Sequence, residues 1–188
     1  MARPDAFSRS ETILSFESAK LVFAGPVGAG KTTAIRSLSD VAPVSTEMPL
    51  TDGAMGEKTT TTVAMDFSPV LLDDGTPLHI YGLPGQEHFA HMRPIVMAGA
   101  VGVIVVLPGD SLRIAHECEH WIRAIRDIDA DAGLVIGITR TDLAPAFRMD
   151  AVRQAVRRCG RPIPVFTFDA RDREQTAHLV RALLLSLD

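Results

Sequence analysis

Eight residues, GPVGAGKT from Gly25 to Thr32, narrow the folds open to this chain more than any other feature. They fit G-x-x-x-x-G-K-[ST], follow the β-rich run KLVFAG (Lys20 to Gly25), and lead into a stretch of helical period that opens near Lys31. A strand that turns through glycines into a helix points several backbone N–H groups, and the positive end of the helix dipole, at one place. That place suits phosphate. Lys31 reaches the terminal phosphates of a nucleoside triphosphate from this position, and the Thr32 hydroxyl can bind Mg²⁺. The motif alone does not choose among a kinase, an ATPase and a GTPase.

The rest of the chain alternates short apolar β-rich runs with longer helical stretches, which predicts an α/β fold. The runs VAMDFSPVLL and PLHIYGL flank Asp74-Gly75, a turn pair that tolerates positive φ, and form a hairpin. Further strands are expected at Gly102 to Leu107, Gly133 to Thr139 and Ile163 to Phe168, and helices at about 86–98, 112–128, 147–158 and 172–186. One hairpin inside a βα alternation gives a six-stranded mixed sheet with helices on both faces, a three-layer sandwich whose ligands sit at the carboxyl ends of the strands. Residues 1–18 read as a loose tail and 19–188 as one domain. Ser39 to Thr61 has little regular pattern and reads as a long functional loop.

The net charge of −4 gives no global positive field to attract nucleic acid or anionic lipid. The longest apolar stretch, Ala100 to Leu107, is far shorter than the roughly 18 residues of a membrane span. Cys118 and Cys159 have no CxxC spacing and no secretory leader precedes them, so reduced thiols packed in a core, in a cytoplasmic protein, are expected.

Three later segments recur in the order that a triphosphate-sensing switch needs. KTTTTVAMDF ends its threonine run at Thr62, placed to close over Mg²⁺ and the γ-phosphate, and chosen among Thr59 to Thr62 because it directly precedes the strand. LHIYGLPGQEHF puts Gly85 and Gln86 at the end of the next strand. There a backbone N–H meets the γ-phosphate and Gln86 orients the attacking water. TRTD, Thr139 to Asp142, follows a buried strand, and its Asp142 carboxylate can accept two hydrogen bonds from the guanine edge.

With GKTT followed by SLSDVAPVSTE, LPGQEHFAHMRPIVMAGAVGVIVV and DARDRE, these segments resemble the Ras-like small GTPases of the P-loop class. The likeness is to their bacterial, MglA-type branch encoded beside roadblock-domain proteins, over roughly Lys20 to the C-terminus. The resemblance implies phosphate contacts from Gly28, Gly30, Lys31 and Thr33 within a loop that also includes Gly25, Val27 and Ala29. It implies Mg²⁺ ligation by Thr32 and Thr62, and base recognition by Thr139, Arg140 and Asp142 together with the loop Asp169, Ala170 and Arg171. GTP and GDP with Mg are the expected ligands, Lys31 and Gln86 the expected catalytic groups, and a roadblock-domain protein the expected regulator of slow hydrolysis. Two positions depart from the family pattern. Gly82 stands where most Ras-like proteins have an Asp that holds Mg²⁺ through water, and Thr139-Arg140-Thr141-Asp142 replaces Asn-Lys-x-Asp. Two other readings stay open at this point: a nucleotide-dependent scaffold that holds GTP with little hydrolysis, prompted by Gly82, and a P-loop ATPase or kinase, prompted by the altered base motif.

HECEH, His116 to His120, matches a zinc-protease signature, but a stripe of Ala115, Cys118, Ile122 and Ile125 turns both histidines to the solvated face. His88, His91 and Lys58 read as exposed side chains, and Trp121 as packing at the core edge.

Overall fold

The computed structural model describes residues 19–39, 44–50, 61–71, 75 and 77–187, with the backbone alone for 44–50 and 61–64. The expected tail, together with Lys58, Thr59 and Thr60, lies outside these. Seven strands among the described residues form one sheet, β1 (Ala19–Ala24), β2 (Val44–Leu50), β3 (Thr61–Leu71), β4 (Pro77–Gly82), β5 (Gly102–Pro108), β6 (Gly133–Thr139) and β7 (Val165–Thr167), in the order β2-β3-β4-β1-β5-β6-β7. The pairs β2·β3 and β3·β4 are antiparallel, and β4·β1, β1·β5, β5·β6 and β6·β7 are parallel. The α/β fold and all six expected strands are present. The seventh, β2, corrects the reading of Ser39 to Thr61 as loop. Its run VSTEMPL carries Pro49, which lacks a backbone donor and so weakens any strand signal, yet is tolerated here because β2 pairs on one side only.

Strand β5, GVIVVLP, is buried along its whole length, because helices cover both faces of the parallel part of the sheet. Its side chains alternate between two cores. Val103, Val105 and Leu107 pack with Ile114, Cys118, Ile122 and Ile125 of α3 (Ile114–Arg126) and with Val152 and Val156 of α4 (Met149–Arg158). Ile104 and Val106 pack with Ala34 and Ile35 of α1 (Lys31–Leu38) and with Leu179 and Leu183 of α5 (Arg173–Leu185). Burial pushes the Cys118 thiol up to about 12, so it is a packing group. Trp121 is buried on the same helix, while His116 and His120 stand on its exposed face.

The single helix expected over 86–98 is two pieces, a 3-10 helix at Glu87–Met92 and α2 at Arg93–Met97. Pro94 has no N–H to continue an α-helical ladder from the preceding turn, so a new helix starts around it. β7 is shorter than the expected Ile163 to Phe168 for the same reason, since Pro164 precedes its first residue.

Every strand of the parallel set ends on the side where α1 begins, so the loops after β1, β4, β5, β6 and β7 gather at one edge. Ile104 is fully buried between α1, α5 and the neighbouring strands. Truncation to alanine there should cost about 2–5 kcal/mol, read as a lower urea midpoint with unchanged m-value.

Candidate nucleotide site

The turn after β1 is shaped by three glycines in conformations that side-chain-bearing residues avoid: Gly25, Gly28 and Gly30 have φ of 139°, 73° and 101°. At Gly25 close approach adds a second demand, because a Cβ would lie 2.1 Å from the Val106 carbonyl oxygen. Gly30 is the N-cap residue of α1, and Thr32 and Thr33 lie in its first turn. The loop therefore arches over the helix N-terminus, where the dipole favours an anion.

Lys31 folds back across this arch and donates from Nζ to the carbonyls of Gly25 at 2.9 Å and Pro26 at 2.8 Å. Burial lowers its pKa to about 8 against the opposing pull of the nearby Asp66 carboxylate. A cation held at the mouth of an N–H-lined loop is the counter-charge a terminal phosphate meets.

The Thr32 hydroxyl donates to the Asp66 carboxylate. Asp66 belongs to β3 and stands directly across from Gly82 on β4. A Cβ on Gly82 would come within 3.2 Å of the Asp66 Cβ and 3.3 Å of its Oδ2, so the carboxylate occupies the room that a side chain at 82 would need. The residue that the sequence reading missed is thus Asp66. Its signal was visible as the only charge in the run VAMDFSPVLL. Thr62 lies four residues earlier on β3, opposite Pro49 in the backbone register; its side chain lies outside the described residues.

Gly85 ends the segment after β4 with its backbone against the arch: a Cβ there would lie 2.5 Å from the Val27 nitrogen and 2.7 Å from the Pro26 carbonyl carbon. Gln86 follows, exposed and extended, at the entrance of the 3-10 helix. His88 and His91 are exposed.

Beside the arch lies a cleft of about 630 Å³ whose walls include Gly28, Gly30, Thr33, Thr139, Asp142 and Ala170. Thr139 is buried and its hydroxyl donates to the Ala29 carbonyl at 2.8 Å, tying the end of β6 to the phosphate loop. Arg140 is the one described non-glycine residue with positive φ (54°), a conformation that costs about 1–3 kcal/mol. Its guanidinium pairs with Asp110 at 2.9 Å. Asp142 is exposed at the cleft. Opposite it the loop after β7 is braced from inside: Asp169 accepts from Arg171 Nε at 2.9 Å and Nη2 at 2.6 Å, and from the Arg171 backbone N–H at 2.9 Å. Those bonds hold the Asp169 carboxyl down at about 2. The Asp169 backbone N–H donates to Gln175 Oε1 at 2.9 Å, which fixes the loop to α5 on either side of the buried Ala170.

The structure brings Gly25, Val27, Gly28, Ala29, Gly30, Lys31, Thr32, Thr33 and Gly85 together around the arch, and Thr139, Arg140, Asp142, Asp169, Ala170 and Arg171 around the adjoining cleft. A loop of N–H groups and a lysine beside a cleft edged by a carboxylate suits a molecule with phosphates at one end and a hydrogen-bonding base at the other. No helix among the described residues is long and apolar enough to cross a membrane.

Comparison with known proteins points the same way. The family model for Roc, described as Ras of Complex, Roc, domain of DAPkinase, matches residues 20–142, which takes in the arch, Asp66, Gln86 and Asp142. The chain is also similar to the Mutual gliding-motility protein MglA of Myxococcus xanthus (strain DK1622), with 26% identity over 148 residues that cover 73% of this chain and 74% of MglA. With well over half of its length matched by the Roc model, the chain belongs to the family of Ras-like GTPase domains.

Proposed function

We infer that the protein is a GTP-dependent molecular switch, a small GTP-binding protein that hydrolyses GTP to GDP. The observation that carries this reading is the junction of two half-sites through Thr139, whose hydroxyl ties the base cleft to the phosphate arch at 2.8 Å. In the proposed assignment the Asp142 carboxylate accepts from the guanine edge. The stem of Arg140, steered by Asp110, covers the face of the base, and the Ala170 backbone N–H meets the guanine carbonyl. The Thr139 hydroxyl is already engaged by Ala29, so it serves the base indirectly, by fixing the loop.

At the phosphate end Lys31 exchanges its two carbonyl acceptors for the terminal phosphates and neutralises charge that develops as the γ-phosphoryl group leaves. Gln86 orients the attacking water, and Gly85 brings a backbone N–H to the γ-phosphate. The donor set at Thr32 and Asp66 is oxygen-only, which suits Mg²⁺; we assign Thr32 and Thr62 as ligands, with Asp66 taking the part of the carboxylate that position 82 lacks. When bound there, the ion supplies charge neutralisation across the β- and γ-phosphates. The scaffold reading rested on Gly82, and Asp66 supplies what that position lacks. The sequence motifs supply no intrinsic arginine finger, so slow turnover without a partner is expected, since such a group is worth roughly 10³–10⁵ in rate. We propose a roadblock-domain protein as that partner and the cytoplasm as the compartment, on the motif resemblance and the cysteine usage.

Denaturing the purified protein and chromatographing the released nucleotide, before and after loading with equal GTP and ATP plus excess Mg²⁺, tests the assignment directly. Guanine nucleotide at near one per chain is expected, and adenine nucleotide, or none after loading, overturns it. Asp142→Asn should abolish the preference for guanine, and Gln86→Leu should slow single-turnover hydrolysis while leaving binding intact. Asp66→Asn should raise the Mg²⁺ concentration needed for half-maximal hydrolysis by roughly tenfold, in keeping with loss of a supporting carboxylate. An unchanged Mg²⁺ dependence would remove Asp66 from the metal site.

Lys31 gives a further test without nucleotide. Its amine titrates at about 8 in the fold and near 10.5 in the unfolded chain, so between those values the unfolded chain holds more protons. The contribution of Lys31 to the stability of the nucleotide-free protein should therefore rise with pH from about 8 to 10.5, opposed above about 9 by the raised Cys118 thiol. Urea unfolding of Lys31→Met should lack that rise.

A further inference from the structure

Gln86 is bracketed by two anchored neighbours. On one side the Gly85 backbone packs against the phosphate arch. On the other, Glu87 is fastened to the start of α2 by Arg93 and lies beside His120 of α3. Its carboxylate accepts from Arg93 Nη2 at 2.9 Å and lies 3.6 Å from His120 Nε2. Arg93 is 6% exposed, and its guanidinium lies over the ring of the buried Trp121 at 4.5 Å. His120 meets the same ring edge-on, at 5.8 Å between centroids. The arginine holds the Glu87 carboxyl below the usual carboxylate range, so the acceptor stays charged through the neutral region.

The two cations differ in what pH does to them. Arginine keeps its charge, whereas histidine is the side chain whose ordinary titration falls between pH 5 and 8. His120 lines a cleft between α2 and α3 that also holds Arg93 from the α2 side and His116, Glu119, Arg123 and Asp127 from the α3 side. Glu119 is occupied by Arg123 at 3.2 Å and by Arg158 of α4 at 2.6 Å. That leaves Glu87 as the carboxylate in ion-pair range of the imidazole.

We propose that Glu87 is a positioning residue for Gln86, held by Arg93 of α2, whose guanidinium rests on Trp121 of α3, and drawn tighter when His120 is protonated, so that GTP hydrolysis quickens as the pH falls. The inference rests on the reading of Gln86 as the water-orienting group. A glutamine fixed at both flanking residues samples fewer conformations, and a larger fraction of bound GTP then has its water aligned. Glu87 is largely exposed, so the effect has the size of a surface ion pair, about two- to fivefold.

The test is single-turnover hydrolysis with saturating GTP and Mg²⁺ between about pH 5.5 and 8, on the full chain and on Glu87→Gln, His120→Gln and Gln86→Leu. Trp121 is the chain's only tryptophan, so its fluorescence follows the clamp independently of activity. The expected result is a rate that rises roughly two- to fivefold toward low pH, a parallel change in Trp121 emission, and loss of both in His120→Gln. Glu87→Gln should slow hydrolysis at every pH without weakening nucleotide binding. If Gln86→Leu leaves the rate unchanged, the catalytic reading of Gln86 falls and the clamp with it. If Gln86→Leu slows hydrolysis but Glu87→Gln does not, or if His120→Gln keeps the wild-type pH profile, the clamp alone is overturned.

Discussion

The nucleotide site depends on backbone contact between a loop and a strand. Gly25 lets the chain leave β1 so close to β5 that a single added carbon would collide with the Val106 carbonyl. The loop thereby rests on a strand that is buried along its whole length. A binding loop built on a packed sheet in this way has less to reorganise when it meets a ligand. Thr139 repeats the device from the other side, with a side-chain bond in place of a steric one. The two constraints act on Gly25 and Ala29, toward opposite ends of the same arch, so base cleft and phosphate loop keep a fixed separation.

How far the sequence foretold this depends on what kind of constraint acted. The glycine-lysine loop, the buried parallel strands and α3 and α5 were readable because each follows a local rule of spacing or period. Asp66 was not assigned, although its charge stands out in its strand, because its role depends on register. A tight two-residue turn at Asp74-Gly75 would pair Asp66 with Leu83, whereas the structure pairs it with Gly82. One residue of slip turns every side chain of β3 to the other face, and no local pattern settles it. β2 was missed because Pro49 is a negative signal for strands in general, and only the tertiary position at a sheet edge makes it harmless. The break between the 3-10 helix and α2 falls at Pro94, a residue the periodic pattern passes over.

At the two positions where the chain departs from the family pattern, a neighbouring polar side chain stands in the same place. The acid absent from position 82 stands across the ladder at 66. At position 139 a threonine hydroxyl, in place of the family's Asn, donates to the Ala29 carbonyl of the loop. In both places the strand geometry fixes the separation, so a shorter or neighbouring side chain can deliver the group to the same volume. Arg140, at the edge of the cleft, has an unfavourable backbone conformation, and its guanidinium pairs with Asp110.

Pro49 has a second consequence, for how the protein behaves in company. A sheet presents its open ladder at two edges, and an unpaired row of donors and acceptors invites another chain to dock. Here one edge is a strand with a proline in it, one donor short, and the other is β7, three residues long and preceded by Pro164. Neither edge offers a long uninterrupted template. The same imino acids that blurred the strand pattern therefore act against edge-to-edge growth, so that a seven-stranded sheet can be crowded among its own copies without extending into a fibre.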